Sequence, residues 1–218
     1  ELQAKGLISL IAGQSLRLPG TQLLSEDQSL YLRGYSVSAT PLIASREELR
    51  THYETKRTLT EEVIGASLTA ANNIEIEADD YVLLQAAQLE AGGDIAISSG
   101  GDIDITTAET QSFWNDRVAK IRSRSEATLS APTELNAAGA VRLQSALDTR
   151  LTGTRVYAGG DVVVEAGGNI SLAPALETRS VWSQYTGRST SVTQTLNNMT
   201  HSMAAIRAGG HLSVVAGD

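Results

Sequence analysis

The sequence contains no cysteine, which excludes disulfides, thiolate catalysis and cysteine metal sites. Aromatic residues are only 4% of it, so the core cannot rest on large rings. No apolar run approaches the roughly 18 residues of a membrane span. Positive charge is the minority: the formal net charge is −8, which disfavours a general nucleic-acid binder. Proline is scarce, at 4 of 218 residues, whereas glycine occurs 19 times. The apolar residues, 41% in all, are mostly Ala, Val, Ile and Leu. Thin, regular strands with many tight corners produce that composition. The chain begins at Glu1, without Met or a signal sequence, and reads as a piece of something longer.

What is present is repetition. Ala91-Gly92-Gly93-Asp94-Ile95 recurs as Ala158-Gly159-Gly160-Asp161-Val162, an offset of 67 residues. The same offset carries Leu68 to Leu135, Ile74 to Val141, Leu84 to Leu151 and Ile105 to Leu172 without a gap. A third echo stands at Ala208-Gly209-Gly210-His211-Leu212. Register held over so long a stretch marks a repeat architecture.

Each unit has a finer rhythm. Short alternating triplets occur at Ile74-Glu75-Ile76, Ile95-Ala96-Ile97, Ile103-Asp104-Ile105 and Val162-Val163-Val164. Such alternation puts the outer two side chains on one strand face. Ile74 to Ile95 and Val141 to Val162 are both 21 residues; Ile95 to Ile103 and Val162 to Ile170 are both 8. A lone apolar residue lies 6 before each first triplet, at Leu68, Leu89, Leu135, Val156 and Ile206.

The chain therefore cycles through three short strands in about 21 residues. A coil whose strands stack in parallel on the next coil returns to this pattern; an antiparallel hairpin array does not. Strands would repeat at about 4.8 Å, with Ile, Val and Leu in inward ladders. Parallel crossovers are overwhelmingly right-handed. The expected fold is all-β, a right-handed parallel β-helix forming one segment over residues 1–218. It has about seven coils, starting near Leu7, Leu23, Leu68, Leu89, Leu135, Val156 and Ile206. Its two ends should be sticky.

The rhythm breaks after every second coil, over residues 45–65, 106–127 and 173–205, after a coil's second strand and before its third. The interruptions hold ten of the 17 Lys and Arg residues. Their length and composition predict β-hairpins, with turns near Asn115-Asp116 and Thr186-Gly187. Hairpins at that spacing would stack into a continuous antiparallel sheet beside the rod. The first interruption, with Glu47-Glu48-Leu49-Arg50, is the most helix-like.

Candidate chemistry is sparse. His52 and His201 fall in interruptions and His211 at a corner, with no convergent partners recognisable for catalysis or metal binding. No catalytic residue, metal site or cofactor is expected. At the corners Gly92, Gly93, Asp94, Gly159, Gly160 and Asp161, glycine is expected to supply left-handed backbone angles and aspartate to bond its own turn amides. Calcium-binding nonapeptide rolls need a third Gly and a spacing of nine, and phosphate loops need a following Lys; these corners have neither. Asp102 and Asp104 form an outward pair beside inward Ile103 and Ile105, a solvated surface in the simplest reading. Trp114 and Trp182 stand at like places in two interruptions, Glu109-Thr110-Gln111-Ser112-Phe113-Trp114 matching Glu177-Thr178-Arg179-Ser180-Val181-Trp182. They either pin each hairpin to the rod or form an exposed contact surface.

The Ala-Gly-Gly-Asp-Ile-x-Ile pattern at residues 91–97 and 158–164, with polar inserts every two coils, resembles the haemagglutinin repeats of two-partner-secretion exoproteins. These include filamentous haemagglutinin and the CdiA-type effectors of contact-dependent growth inhibition. The resemblance covers nearly the whole chain and implies the shaft of a secreted filament at the bacterial cell surface. Its implied partners are an outer-membrane transporter during export and the surface or outer membrane of a target cell. The implied role is toxin delivery or adhesion. A polysaccharide-acting β-helix enzyme is the alternative; it would need clustered acids and basic residues in a groove, and the regular polar positions offer no such cluster.

Overall fold

The computed structural model describes residues 1–51, 55–187 and 190–217, and among them there are strands and turns but no helix. His52 lies outside the described residues. The strands form three sheets.

The first sheet has seven strands, one from each cycle of the sequence rhythm, and every pairing is parallel. It runs from Leu2–Ala4 through Gln22–Ser25, Ser67–Ala70, Gln88–Ala91, Glu134–Ala137 and Arg155–Ala158 to Ala205–Ala208. Leu23, Leu68, Leu89, Leu135 and Val156 stand in one row, each at most 3% exposed. The row begins at Leu2, opposite Leu23. Leu7, the expected first anchor, is instead a corner residue, 55% exposed. Leu2 lies 6 before Ile8-Ser9-Leu10, where the spacing rule itself puts the lone apolar residue.

The second sheet has eleven strands and carries both triplet ranks. Ile74 lies directly beside Ile95 on a parallel strand, and Leu30, Ile74, Ile95, Val141 and Val162 form a fully buried ladder. Val82, Ile103 and Thr149 continue the second rank. The ranks share a sheet because Leu30–Ala39 and Ile74–Gln85 run through both without a break, the register shifting between Gly34 and Ser36. Burial alternates along the short strands, as at Ile95–Ser99. Full burial of one such aliphatic side chain stabilises by about 1.5–3 kcal/mol, so the inward rows are where the stability of the stack lies.

The corners follow from the distance between coils. Backbone φ is positive at Gly20 and Gly153 but at none of Gly92, Gly93, Gly159 and Gly160. The expected left-handed angles are therefore absent from the Gly-Gly-Asp corners. Glycine is required there by close approach. A Cβ on Gly92 would stand 2.0 Å from the Ala71 carbonyl oxygen of the adjacent coil, and one on Gly159 2.2 Å from that of Ala138.

Asp94 and Asp161 also act between coils rather than within their turns. Asn73 Oδ1 accepts the Asp94 N–H at 2.9 Å, and Asp94 Oδ1 accepts the Ala140 N–H at 2.7 Å. Asp161 Oδ1 takes the His211 N–H at 2.7 Å. A carboxylate oxygen has capacity for a backbone amide that the parallel ladder leaves over. The second glycine of the motif makes room for this: a Cβ on Gly93 would meet Asn73 Oδ1 at 2.2 Å.

The third sheet is antiparallel and comes from the interruptions. These leave after the third strand of a cycle, as after Ile103–Thr106, and return to the first strand of the next, not between a second and a third strand as expected. Three consecutive strand pairs, Leu42–Thr51 with Thr55–Ile64, Ala108–Val118 with Ile121–Ala131, and Ala175–Thr186 with Ser191–Ser202, lie side by side as six strands. Glu47-Glu48-Leu49-Arg50 is thus strand, not helix; its partner strand holds it, and Glu47 pairs with Arg57 at 2.6 Å. The second pair turns at Ala119-Lys120, with Ala119 at φ 51°, leaving Asn115 and Asp116 inside a strand. The third closes with Thr186 opposite Ser191, and the Gly187 N–H donates to the Thr190 carbonyl at 2.7 Å. The second pair also runs on to Ala131, beyond residue 127.

Candidate contact surface

The third sheet has little core of its own. Its strands pack mainly on one another, and within those strands only Ala108 and Ala175, where two strands leave the coil, are buried. It is an open sheet with two accessible faces, and its strands carry 8 of the 17 Lys and Arg residues. Which face a side chain occupies is fixed by register, because neighbours across an antiparallel pair share a face and successive residues alternate.

Trp114 pairs with Ser125, and Ser125 with Val181. Trp182 pairs with Arg124. Ser125 and Arg124 are successive residues, so the tryptophans lie on opposite faces. The likeness between the two interruptions runs at an offset of 68, whereas the strands align at 67, as Trp114 and Val181 show. One residue of slip turns a side chain to the other side of a sheet. Both indoles are half-buried. Trp114 is six residues beyond Ala108, about 20 Å along the strand from where that strand leaves the coil.

The Trp114 face ends in an apolar row at the turns. Val118, Ile121, Tyr185 and Val192 stand side by side, 37–53% exposed. The Trp182 face is cationic toward the same end. Arg57, Asn115, Arg124 and Trp182 form one row there. Arg117 and Arg122, directly opposite each other, form the next row on that face. Glu47 and Glu126 are engaged by Arg57 and Arg124 respectively, and the Arg124 guanidinium also stands 5.3 Å over the Phe113 ring.

On the coil, the acidic pair Asp102 and Asp104 is bridged by Arg150, whose Nη1 lies 3.2 and 3.4 Å from the two carboxylates. Asp148 Oδ1 accepts the Asn169 N–H at 2.8 Å, and Arg150 approaches its other oxygen at 2.5 Å. The Asn169 amide first, and the Arg150 charge after it, hold the Asp148 carboxyl below the usual aspartate range. Among the described residues no group of three or more His, Asp or Glu is placed to hold a metal ion. His201 lies exposed on the outermost strand, opposite Leu176, and His211 is a corner residue that gives its backbone amide to Asp161.

Comparison with known proteins bears on the repeat. Residues 49–121 and 115–192 match the family model of the hemagglutinin repeat. The chain is 32% identical over 146 residues to "Deoxyribonuclease CdiA" of Dickeya dadantii (strain 3937), which covers 64% of this chain and 4% of that protein. It is 27% identical over 136 residues to "Toxin CdiA" of Yersinia pestis, 51% of this chain and again 4% of the relative. The chain thus corresponds to a small fraction of either relative's length. No solved structure matches it.

Proposed function

The chain belongs to the hemagglutinin-repeat family, and we propose that it is a shaft segment of a secreted bacterial surface exoprotein that delivers a toxin on contact with another cell. The coil is read as a right-handed parallel β-helix carrying β-hairpin insertions near residues 45–65, 106–127 and 173–205. The handedness rests on the strong preference of parallel crossovers. The single observation that carries the proposal is the in-register parallel stacking of every cycle, from Leu2 to Ile206, with an antiparallel pair leaving every second cycle. Such a stack gains length by adding repeats, each contacting its neighbours, as a spacer between a cell and a distal toxin requires.

Toxin delivery is preferred to plain adhesion because one relative is named a toxin and the other a deoxyribonuclease. Export would use an outer-membrane transporter of the two-partner kind, and the surface met would be that of a target cell. A non-catalytic role is part of the proposal, supported by the ion pairs that tie Asp102 and Asp104 to Arg150.

The test is saturable binding of the purified chain to intact bacterial and host cells, with and without Trp114 and Trp182 replaced. Binding to bacteria in preference to host cells is expected. Preference for host cells would favour an adhesin instead. Incubation with acidic polysaccharides is expected to release no fragments; cleavage would overturn the non-catalytic assignment.

A further inference from the structure

The cationic end of the third sheet has an arrangement that a strand pair does not need for its own stability. Arg117 and Arg122 face each other across the strand pair, each two residues from the turn at Ala119-Lys120. Like charges directly opposite in a sheet are unfavourable. Among the described residues neither makes an ion pair, and the nearest acids on that face, Glu47 and Glu126, are held by Arg57 and Arg124. Thr55 continues the row beside Arg117, and Asn115 and Arg57 lie side by side in the next row of the same face. These five residues line a shallow groove of about 360 Å³. Every one is exposed, and each presents donors: guanidinium N–H groups, a hydroxyl and an amide.

We propose that this groove, formed by Arg57, Arg117, Arg122, Thr55 and Asn115, binds a phosphate monoester. Planar guanidinium groups match the oxygens of phosphate in bidentate pairs. A dianion between Arg117 and Arg122 turns their mutual repulsion into two attractions, while the Thr55 hydroxyl and Asn115 amide serve the remaining oxygens. The overall charge of −8 makes such anion binding local to this face. The site is separate from the shaft assignment, which stands whether or not the groove is filled.

The ester has two possible carriers, a soluble phosphorylated sugar or a lipid headgroup, and two probes separate them. Calorimetric titration of the whole chain with glucose 6-phosphate tests the first. Co-sedimentation with phosphatidylcholine vesicles, with and without phosphatidic acid, tests the second. Saturable binding in at least one arm is expected, and the arm that binds names the carrier. Arg117→Gln and Arg122→Gln should each weaken it about tenfold, the loss of one charged hydrogen bond. Arg179→Gln, on the opposite face, should leave it unchanged. Each groove variant relieves the Arg–Arg repulsion, so its unfolding midpoint without phosphate should equal or exceed that of the parent; this separates lost binding from lost folding. Failure of both probes to bind, or equal weakening by Arg179→Gln, would overturn the proposal.

Discussion

Replacing Gly92 with Ala probes the contact between coils at its tightest point. The new methyl would sit 2.0 Å from the Ala71 carbonyl oxygen, where nothing flexible can yield. The backbone is pinned on both sides, by the Gly92 N–H to Ala70 O bond at 3.0 Å and the Ala71 N–H to Ser25 O bond at 3.0 Å. Relief requires the coils to part by about 1 Å, which loses or bends one or two ladder bonds at about 1 kcal/mol each, on top of an overpacking strain of about 1–3 kcal/mol. A destabilisation of about 2–5 kcal/mol follows. The first coil supplies the control. By register from Ala4 and Ile8, Lys5 and Gly6 hold the places of Gly92 and Gly93, and a Cβ on Gly6 meets nothing within 4 Å. Gly6→Ala should therefore be neutral, or stabilise by up to about 1 kcal/mol through the unfolded state. Urea unfolding followed by circular dichroism compares the two, with hydrogen exchange over residues 88–106 localising the loss, since stacked repeats need not unfold as one unit. Equal effects of the two substitutions would refute the close-approach explanation of the corners.

Truncating a ladder residue, Ile95→Ala, should cost about 2–5 kcal/mol, whereas Leu49→Ala, 61% exposed on an edge strand, should stay within about 0.5 kcal/mol; similar losses by urea unfolding would contradict the assignment of the core. Asp148 has a folded-state pKa below its unfolded one, so it contributes stability above its unfolded pKa that disappears as pH falls through the folded value. Asp148→Asn should flatten the acid limb of the stability curve, and an unchanged limb would show that the Asn169 and Arg150 contacts do not hold the carboxylate. Iodide should quench the lone tryptophan of Trp114→Phe, which keeps Trp182 on the arginine face, roughly twofold more strongly than that of Trp182→Phe. Equal quenching constants would mean that the indoles share a face.

How much of this was legible in the sequence depended on how far apart the interacting residues lie. The coil could be read because a ladder demands the same side-chain class at each recurrence, so Leu68, Leu89 and Leu135 announce one another. The expected continuous antiparallel sheet followed from the same period. The terminal coil escaped because Leu7 copies the composition of an anchor while occupying a corner. The reason for Gly92 was hidden because its clash partner, Ala71, is 21 residues away and invisible to local turn logic. The helical look of Glu47-Glu48-Leu49-Arg50 was a local propensity overridden by a partner strand, as strand formation commonly is. The faces of the two tryptophans were hidden for a sharper reason. Local likeness and strand register differ by one residue, and in a sheet that is the difference between its two sides. The groove of Arg57, Arg117 and Arg122 gathers residues from three strands of two interruptions; only the excess of basic residues there pointed toward it.

Cysteine cross-linking tests the parallel stack most directly, since the chain has no cysteine of its own. Glu75 and Ala96 are register partners on adjacent parallel strands, which places their Cα atoms about 4.8 Å apart, within disulfide range. Glu75 and Ser98 would be partners only if those strands ran in opposite directions; in parallel they are about 8 Å apart, too far to bridge. Mild oxidation should close Glu75→Cys/Ala96→Cys quickly and leave Glu75→Cys/Ser98→Cys reduced. Closure of the second pair with failure of the first would contradict the account.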